Sequence, residues 1–451
     1  GSALDVSGYL RKEKAGAFGR VVARNGHFEF ENAPGAKVRF FTCAVESMFR
    51  SKEDVDIFVK ELRKNGYNMV RTHFWDSILC RNGKKELDFD RAGLDIFDYM
   101  VFAMKENGIY LNFDCMTSWN GYAPGNIWTM KDRNLKKNSI YFDPASRENW
   151  RKGVEMLLGR RNPYTGTRLI EDPVLALTVG FNEQEFAFIR TEFPWDAALP
   201  EWRKFIGDPS APIFTRKEWN TKDEKGRKIN AFITMKWREM LAWYRKTIHE
   251  EIGYKGLGNL WEMTGSMHYN VLRNDLDYVM MHAYHAHAIA STSQSQASDI
   301  GGGLKQFRTL MDARIAGRPF LVNEYASVYW NRYRYEEPFA VSACAAFQGF
   351  DMLLRHGSPI HVVDAERMFP WVMFHDPVTK ASLVQTALLY GRGDVQEGKR
   401  GVRLTFSEKA VSENRIWNEA LNSMQSRLAL IVRSGLEQTD PGPALRPPAP
   451  A

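Results

Sequence analysis

Short apolar runs alternate along this chain with longer segments whose apolar residues recur every three or four positions. VRFFTCA (38–44) is followed by SKEDVDIFVKELRKNG (51–66), where Val55, Phe58, Val59 and Leu62 share one helical face and Gly66 supplies the stop. The same pairing recurs. YNMVRTHF (67–74) precedes a helix at AGLDIFDYMVFAMKENG (92–108). IYLNFD (109–114) precedes SRENWRKGVEMLLGR (146–160). LALTVGF (175–181) is followed, after a gap, by the long helical pattern INAFITMKWREMLAWYRKTIHEEIG (229–253). LGNLWEM (257–263) and YVMMHAYH (278–285) read as strands, then GLKQFRTLMDARIAG (303–317) as a helix. PFLVNEY (319–325), EPFAVSACAAFQG (337–349), FDMLLRH (350–356) and TKASLVQTALLYGR (379–392) complete the series.

Eight near-continuously apolar strands joined through helices predict a parallel sheet buried on both faces. Eight such units predict an α/β fold, a closed (β/α)₈ TIM barrel over residues 20–400. Residues 1–19 form an N-terminal extension. Within RVVARNGHFEFENAPGAKVRFFTCA (20–44), Asn25-Gly26 predicts a β-hairpin ahead of the first barrel strand. A charged, Trp-containing insertion at 187–229 is expected to form a lid or groove wall. Residues 401–440 read as a strand (GVRLTFSEKAV) and a helix (NEALNSMQSRLALIV), the start of an accessory domain cut short. The Pro-rich tail 441–451 is expected to be extended.

Composition narrows the function. With 451 residues, 44% hydrophobic and 25% charged, the chain can bury a sizeable core. No apolar run reaches the ~18 residues of a membrane span. The start GSALDVSGYL has no charged stretch followed by an apolar one, as a signal peptide would. Cys43, Cys80, Cys115 and Cys344 lack metal-ligand or disulfide-framework spacing. The net charge of +7 reads as a solvated basic surface rather than a nucleic-acid footprint, with an anionic glycan as the alternative. Thirteen tryptophans, in a chain 13% aromatic, could supply sugar-stacking platforms.

Chemistry in such a barrel collects at the C-terminal strand ends. Here these are polar and ionisable: Arg71, His73, Trp75 and Asp76; Asn112, Asp114 and Trp119; Asn182 and Glu183; Trp261 and Glu262; His282, Tyr284 and His285; Asn323 and Glu324; Arg355 and His356. Glu183 and Glu324 end the fourth and seventh strands, on opposite sides of one bowl. Two facing carboxylates suit glycosidic hydrolysis, one protonating the leaving oxygen and the other attacking the anomeric carbon. The histidines His282, His285 and His287 could also gather a metal, but they come from one stretch, where metal-dependent barrels draw ligands from several strands. No metal and no cofactor is expected.

With these residues in place, the chain resembles the retaining glycoside hydrolases of clan A, most closely the family-five-like cellulase and mannanase relatives. The resemblance rests on GYNMVRTHFWD, on Asn182-Glu183, on HAYH and on PFLVNEY, in order along about residues 20–400. It implies that Glu183 is the acid/base and Glu324 the nucleophile. It further implies that Asn182 bonds the sugar 2-hydroxyl, that Tyr284 and Arg71 keep Glu324 ionised, and that His282 lines the adjacent subsite. Arg71 is equally expected to pair structurally with Asp114 or Asp76. Two departures stand out. The family usually has His at the end of strand three, where this chain has Asp114, and Trp at the end of strand eight, where it has Arg355 and His356. The stacking floor is then expected from Trp330 or Trp371, with His73, Trp75, Trp119 and Trp261 as further substrate contacts, and Arg332 and Arg334 as candidates for holding an anionic sugar. The partner so implied is a β-linked oligo- or polysaccharide, met outside the cytoplasm (secreted, periplasmic or at the cell surface). The competing readings are a non-catalytic carbohydrate-binding barrel and a metal-dependent barrel hydrolase.

Overall fold

The computed structural model describes residues 2–125, 136–183, 195–219, 221–260, 267–285, 295–327, 331–357, 374, 376–413 and 424–440. Trp128, Gln184, Trp261, Glu262, His287, Trp330, Trp371, the first part of the 187–229 insertion and the 441–451 tail lie outside these residues.

The hairpin forms as expected: β1 (Val21–Arg24) pairs antiparallel with β2 (His27–Phe30) across Asn25-Gly26. Both turn residues have positive φ, 52° and 78°, the geometry that makes Asn-Gly the favoured two-residue hairpin turn. A third strand that the sequence did not announce, β3 (Ala33–Lys37), pairs with β2.

All eight predicted barrel strands are present. They are β4 (Phe40–Val45), β5 (Met69–Thr72), β6 (Tyr110–Asp114), β7 (Leu175–Val179), β8 (Leu257–Asn259), β9 (Val279–Tyr284), β10 (Phe320–Ala326) and β11 (Met352–Arg355). They pair parallel in the order β8-β7-β6-β5-β4-β11-β10-β9, a nearly closed (β/α)₈ barrel. Across the remaining seam, Gly258 N donates to Asp277 Oδ2 at 2.9 Å and Asn259 Nδ2 to the Tyr278 carbonyl at 2.7 Å. The strands are buried along almost their whole length, as a sheet covered on both faces requires.

The helices form where apolar spacing and caps coincide. Ser51 accepts from Asp54 N to start the helix Lys52–Lys64, which buries the four predicted residues. Asp143 caps Pro144–Leu158, with Pro144 in the first turn. That helix buries Trp150, whose Nε1 donates to the Gly180 carbonyl at 3.0 Å, just before Asn182 and Glu183. The described part of the insertion is helical at Trp195–Ile206 and Arg216–Trp219, and the following helix begins earlier than predicted, at Glu224. Trp202, Phe214 and Phe232 pack edge to face and seat this insertion on it.

The C-terminal region departs from expectation by adding a strand. β12 (Gly401–Phe406) pairs parallel with β13 (Arg433–Gln438). Leu436 of β13 is fully buried and its backbone bonds Arg314 and Ala316, so this ribbon docks on the barrel.

Candidate active site

The strand ends converge on Arg71, whose guanidinium is fully enclosed at the end of β5. Its Nε lies 3.0 and 2.8 Å from the two Asp114 oxygens. Its Nη1 donates to Glu324 Oε1 at 2.7 Å and to the Asn323 carbonyl at 3.2 Å, and its Nη2 to Asn182 Oδ1 at 2.7 Å. One planar fork thus ties β5, β6, β7 and β10 together. Because Asn182 spends its amide oxygen on Arg71, its Nδ2 donor is left for other partners.

Glu324 reaches this network through a bulge. Val322 pairs with Met281, but Glu324 rather than Asn323 pairs with His282, and the register against β11 shifts at the same place. The extra residue, Asn323, points into the barrel and accepts from Asn112 Nδ2 at 3.2 Å. The bulge re-aims the next side chain, as bulges beside functional sites do. The second Glu324 oxygen accepts from the Tyr284 hydroxyl. His282 Nδ1 lies 3.6 Å and His356 Nδ1 3.9 Å from that oxygen. Burial alone would push the Glu324 carboxyl up. The His282 and His356 imidazoles and the Arg71 guanidinium outweigh it and hold the group well below the usual carboxylate range. Burial, with Glu324 nearby, raises the Tyr284 phenol well above its usual value, so it remains a donor.

Glu183 sits across the bowl. Its φ of 50° is left-handed, which costs a non-glycine residue about 1–2 kcal/mol. Its side chain is 22% exposed, against 6% for Glu324, so the two carboxylates have different surroundings. His282 Nδ1 lies 3.3 Å from Glu183 Oε1. One ligand atom from each of Glu183, His282 and Glu324 falls within 4.8 Å of the others. That spacing suits a sugar between two carboxylates, and a divalent cation could also bridge it.

Several expected contacts fall elsewhere. Trp75 is fully buried, packed on Phe97 with its Nε1 donating to the Val45 carbonyl at 3.0 Å, so no substrate can reach it. Asp114 lies beneath the bowl, held by Arg71 and by His73 Nδ1 at 2.7 Å, and has no exposed side-chain surface. Burial and Arg71 lower the His73 pKa to about 3, so its ring is neutral. Neither offers more than a sliver of side-chain surface to the bowl. Arg355 turns behind the sheet to Glu337 Oε1 at 3.0 Å, leaving His356 as the strand-eight residue at the site. His285 turns to Asp299 and the Ala297 carbonyl, so it does not join His282. Arg334 is held by both Asp376 oxygens, at 2.6 and 3.0 Å, and is committed to that pair. Trp119 is half-buried, with the Lys137 ammonium 4.1 Å from its ring centre.

Two contributors escaped the sequence reading. Lys137 is buried and donates to the Thr117 carbonyl at 2.9 Å and the Asn182 carbonyl at 3.0 Å, fastening the residue before Glu183. It sat in an unremarkable charged stretch. Glu46, just past β4, lies 3.4 Å from His356 Nε2. Its position after the first strand was the available signal.

No family model matches the chain, and no curated protein does. Solved structures of similar fold do. The endo-1,4-beta-mannanase of Rhizomucor miehei aligns with TM-score 0.55 at 14% identity, over 82% of this chain and 98% of that one. The endo-beta-1,4-mannanase of Thermotoga petrophila gives 0.53 at 13%, over 82% of each. A GH5_18 protein of Bifidobacterium longum subsp. infantis gives 0.53 at 15%, over 89% of this chain and 92% of that one. These structures share the (β/α)₈ barrel fold with this chain.

Proposed function

We propose that this protein is a retaining glycoside hydrolase acting on a β-linked oligo- or polysaccharide, with Glu183 as acid/base and Glu324 as nucleophile. The observation that carries the reading is the approach of the two carboxylates within 4.8 Å across the bowl. Retaining enzymes hold them ~5–5.5 Å apart, whereas inverting ones leave ~6.5–9.5 Å for a water. The differing environments support the division of labour. Glu324, cradled by Arg71 and Tyr284, is ionised and ready to attack. Glu183, more exposed, stands where it can protonate the departing oxygen and then activate water. Asn182, its amide oriented by Arg71, offers Nδ2 to the sugar.

The mannanase neighbours make β-1,4-mannan the first substrate to try. The purified protein would be incubated with β-mannans, glucans, xylans and acidic polysaccharides, and the anomer first released followed by proton NMR. Initial release of the β-anomer, abolished in Glu324→Gln, supports the reading. Initial α-anomer overturns retention.

The Glu183–His282–Glu324 cluster supports a second reading, a metal-dependent hydrolase. Full activity in excess chelator would eliminate it; loss restored by one divalent cation would favour it.

A further inference from the structure

At the opposite end of the barrel, β12 and β13 meet the segment leading into β10. A cavity of about 280 Å³ there is lined by Arg314, Gly317, Gly401, Arg403, Arg433 and Gly435 among others. Gly435 lets the ribbon approach closely, since a Cβ there would lie 3.1 Å from Ala316.

Arg314 is the unusual member. It is 6% exposed, and its Nη1 is buried without an acceptor among the described residues. Its Nη2 donates to the Gln348 carbonyl at 3.2 Å, and its Cζ lies 5.4 Å from both the Phe320 and Phe350 ring centres. Burial lowers its pKa to about 10, which leaves it cationic at neutral pH. No carboxylate among the described residues lies within ion-pair distance of it. Asp351 is committed to His27 and to the Phe28 and Phe320 amides. Glu397 serves Arg433 at 2.7 Å and also Lys37, while Glu437 serves Arg403 at 2.7 Å. A buried guanidinium with no direct ion-pair partner among the described residues, acted on only from a distance by Asp351 and Glu397, is costly, and native proteins keep such a group when something answers its charge.

We propose that this cavity is an oxyanion-binding site, in which Arg314, Arg403 and Arg433 hold a phosphate or sulfate group that bridges the C-terminal ribbon and the barrel. Guanidinium clusters suit such groups because their forked donors match tetrahedral oxyanions. The ligand is either the free ion or the ionised substituent of a sugar. The site stands apart from the catalytic bowl and does not depend on the function proposed above.

The test is calorimetric titration of the full chain with inorganic phosphate, inorganic sulfate and a hexose 6-phosphate at constant ionic strength, with thermal melts alongside. Expected are saturable binding near one per chain, a rise in Tm, about tenfold weaker binding in Arg403→Gln, and no binding in Arg314→Met. Tighter binding of the sugar phosphate than of inorganic phosphate assigns the substituted sugar; equal or weaker binding assigns the free ion. Absence of saturable binding to the wild type overturns the proposal, as does equal binding by wild type and Arg403→Gln. Arg314→Met replaces an unpaired buried charge, so its Tm without anion should not fall. If that variant does not fold, the Arg403→Gln comparison still decides.

Discussion

Arg71 illustrates how far one side chain can organise a site. It meets Asp114, Asn182 and Glu324 at once, so removing it strands two carboxylates. Arg71→Met should destabilise the fold by ~3–5 kcal/mol in denaturant titrations, the usual cost of breaking a buried pair. Tyr284→Phe is gentler. The hydroxyl it removes stabilises ionised Glu324, so the proposed nucleophile's pKa rises and the acidic limb of the kcat/KM profile moves to higher pH. A limb that stayed put would deny Tyr284 that role. Glu183→Ala should cost roughly 10²–10⁴ in turnover of an unactivated glycoside and far less with a good leaving group that needs no protonation. These residues could be singled out in the sequence because each lies at the end of an apolar strand. Trp75 was misread for the same reason: its position after strand two marked it as a contact, and only packing on Phe97 reveals that it faces the barrel wall.

At the scale of elements, apolar alternation located all eight barrel strands, but it could not show the bulge in β10. The pattern PFLVNEY reads as a plain strand. The extra residue becomes visible only when β9 and β11 supply a register, because an apolar run carries no record of its partners. β13 was missed for a related reason, as its RSGLEQ lacks strong β-formers and earns its place through Leu436 on the barrel. The loop after β6 is pinned by Asp76, which accepts from the Thr117 and Ser118 amides and the Ser118 hydroxyl. Burial raises the Asp76 pKa from 3.8 to about 6. A raised folded-state pKa favours the protonated form, so this group's contribution is complete below pH ~4 and is lost as pH rises through about 6. The unfolding free energy from denaturant titrations between pH 4 and 7 should therefore fall for the wild type relative to Asp76→Asn, by up to about 3 kcal/mol. A constant difference would refute it.

For the molecule as a whole, a rigid barrel carries strain at its rim. Glu183 keeps a left-handed backbone over a wall closed by Trp150. Trp150→Ala should cost ~3–5 kcal/mol by opening a cavity under the β7 strand end. The barrel and its facing carboxylates were legible in the sequence because they follow one rule, apolar strand bodies with polar ends. Lys137 and the arginine cavity were not, because they depend on contacts between distant segments. Double displacement requires Glu324 to form a covalent bond to the sugar. Intact-protein mass after incubation with activated 2-deoxy-2-fluoro-β-glycosides of the manno, gluco, galacto and xylo series, followed by peptide mapping, tests this directly. One stable glycosyl adduct on Glu324, absent from Glu324→Gln, is the predicted result. An adduct on a different residue, or one that forms equally on Glu324→Gln, would contradict it.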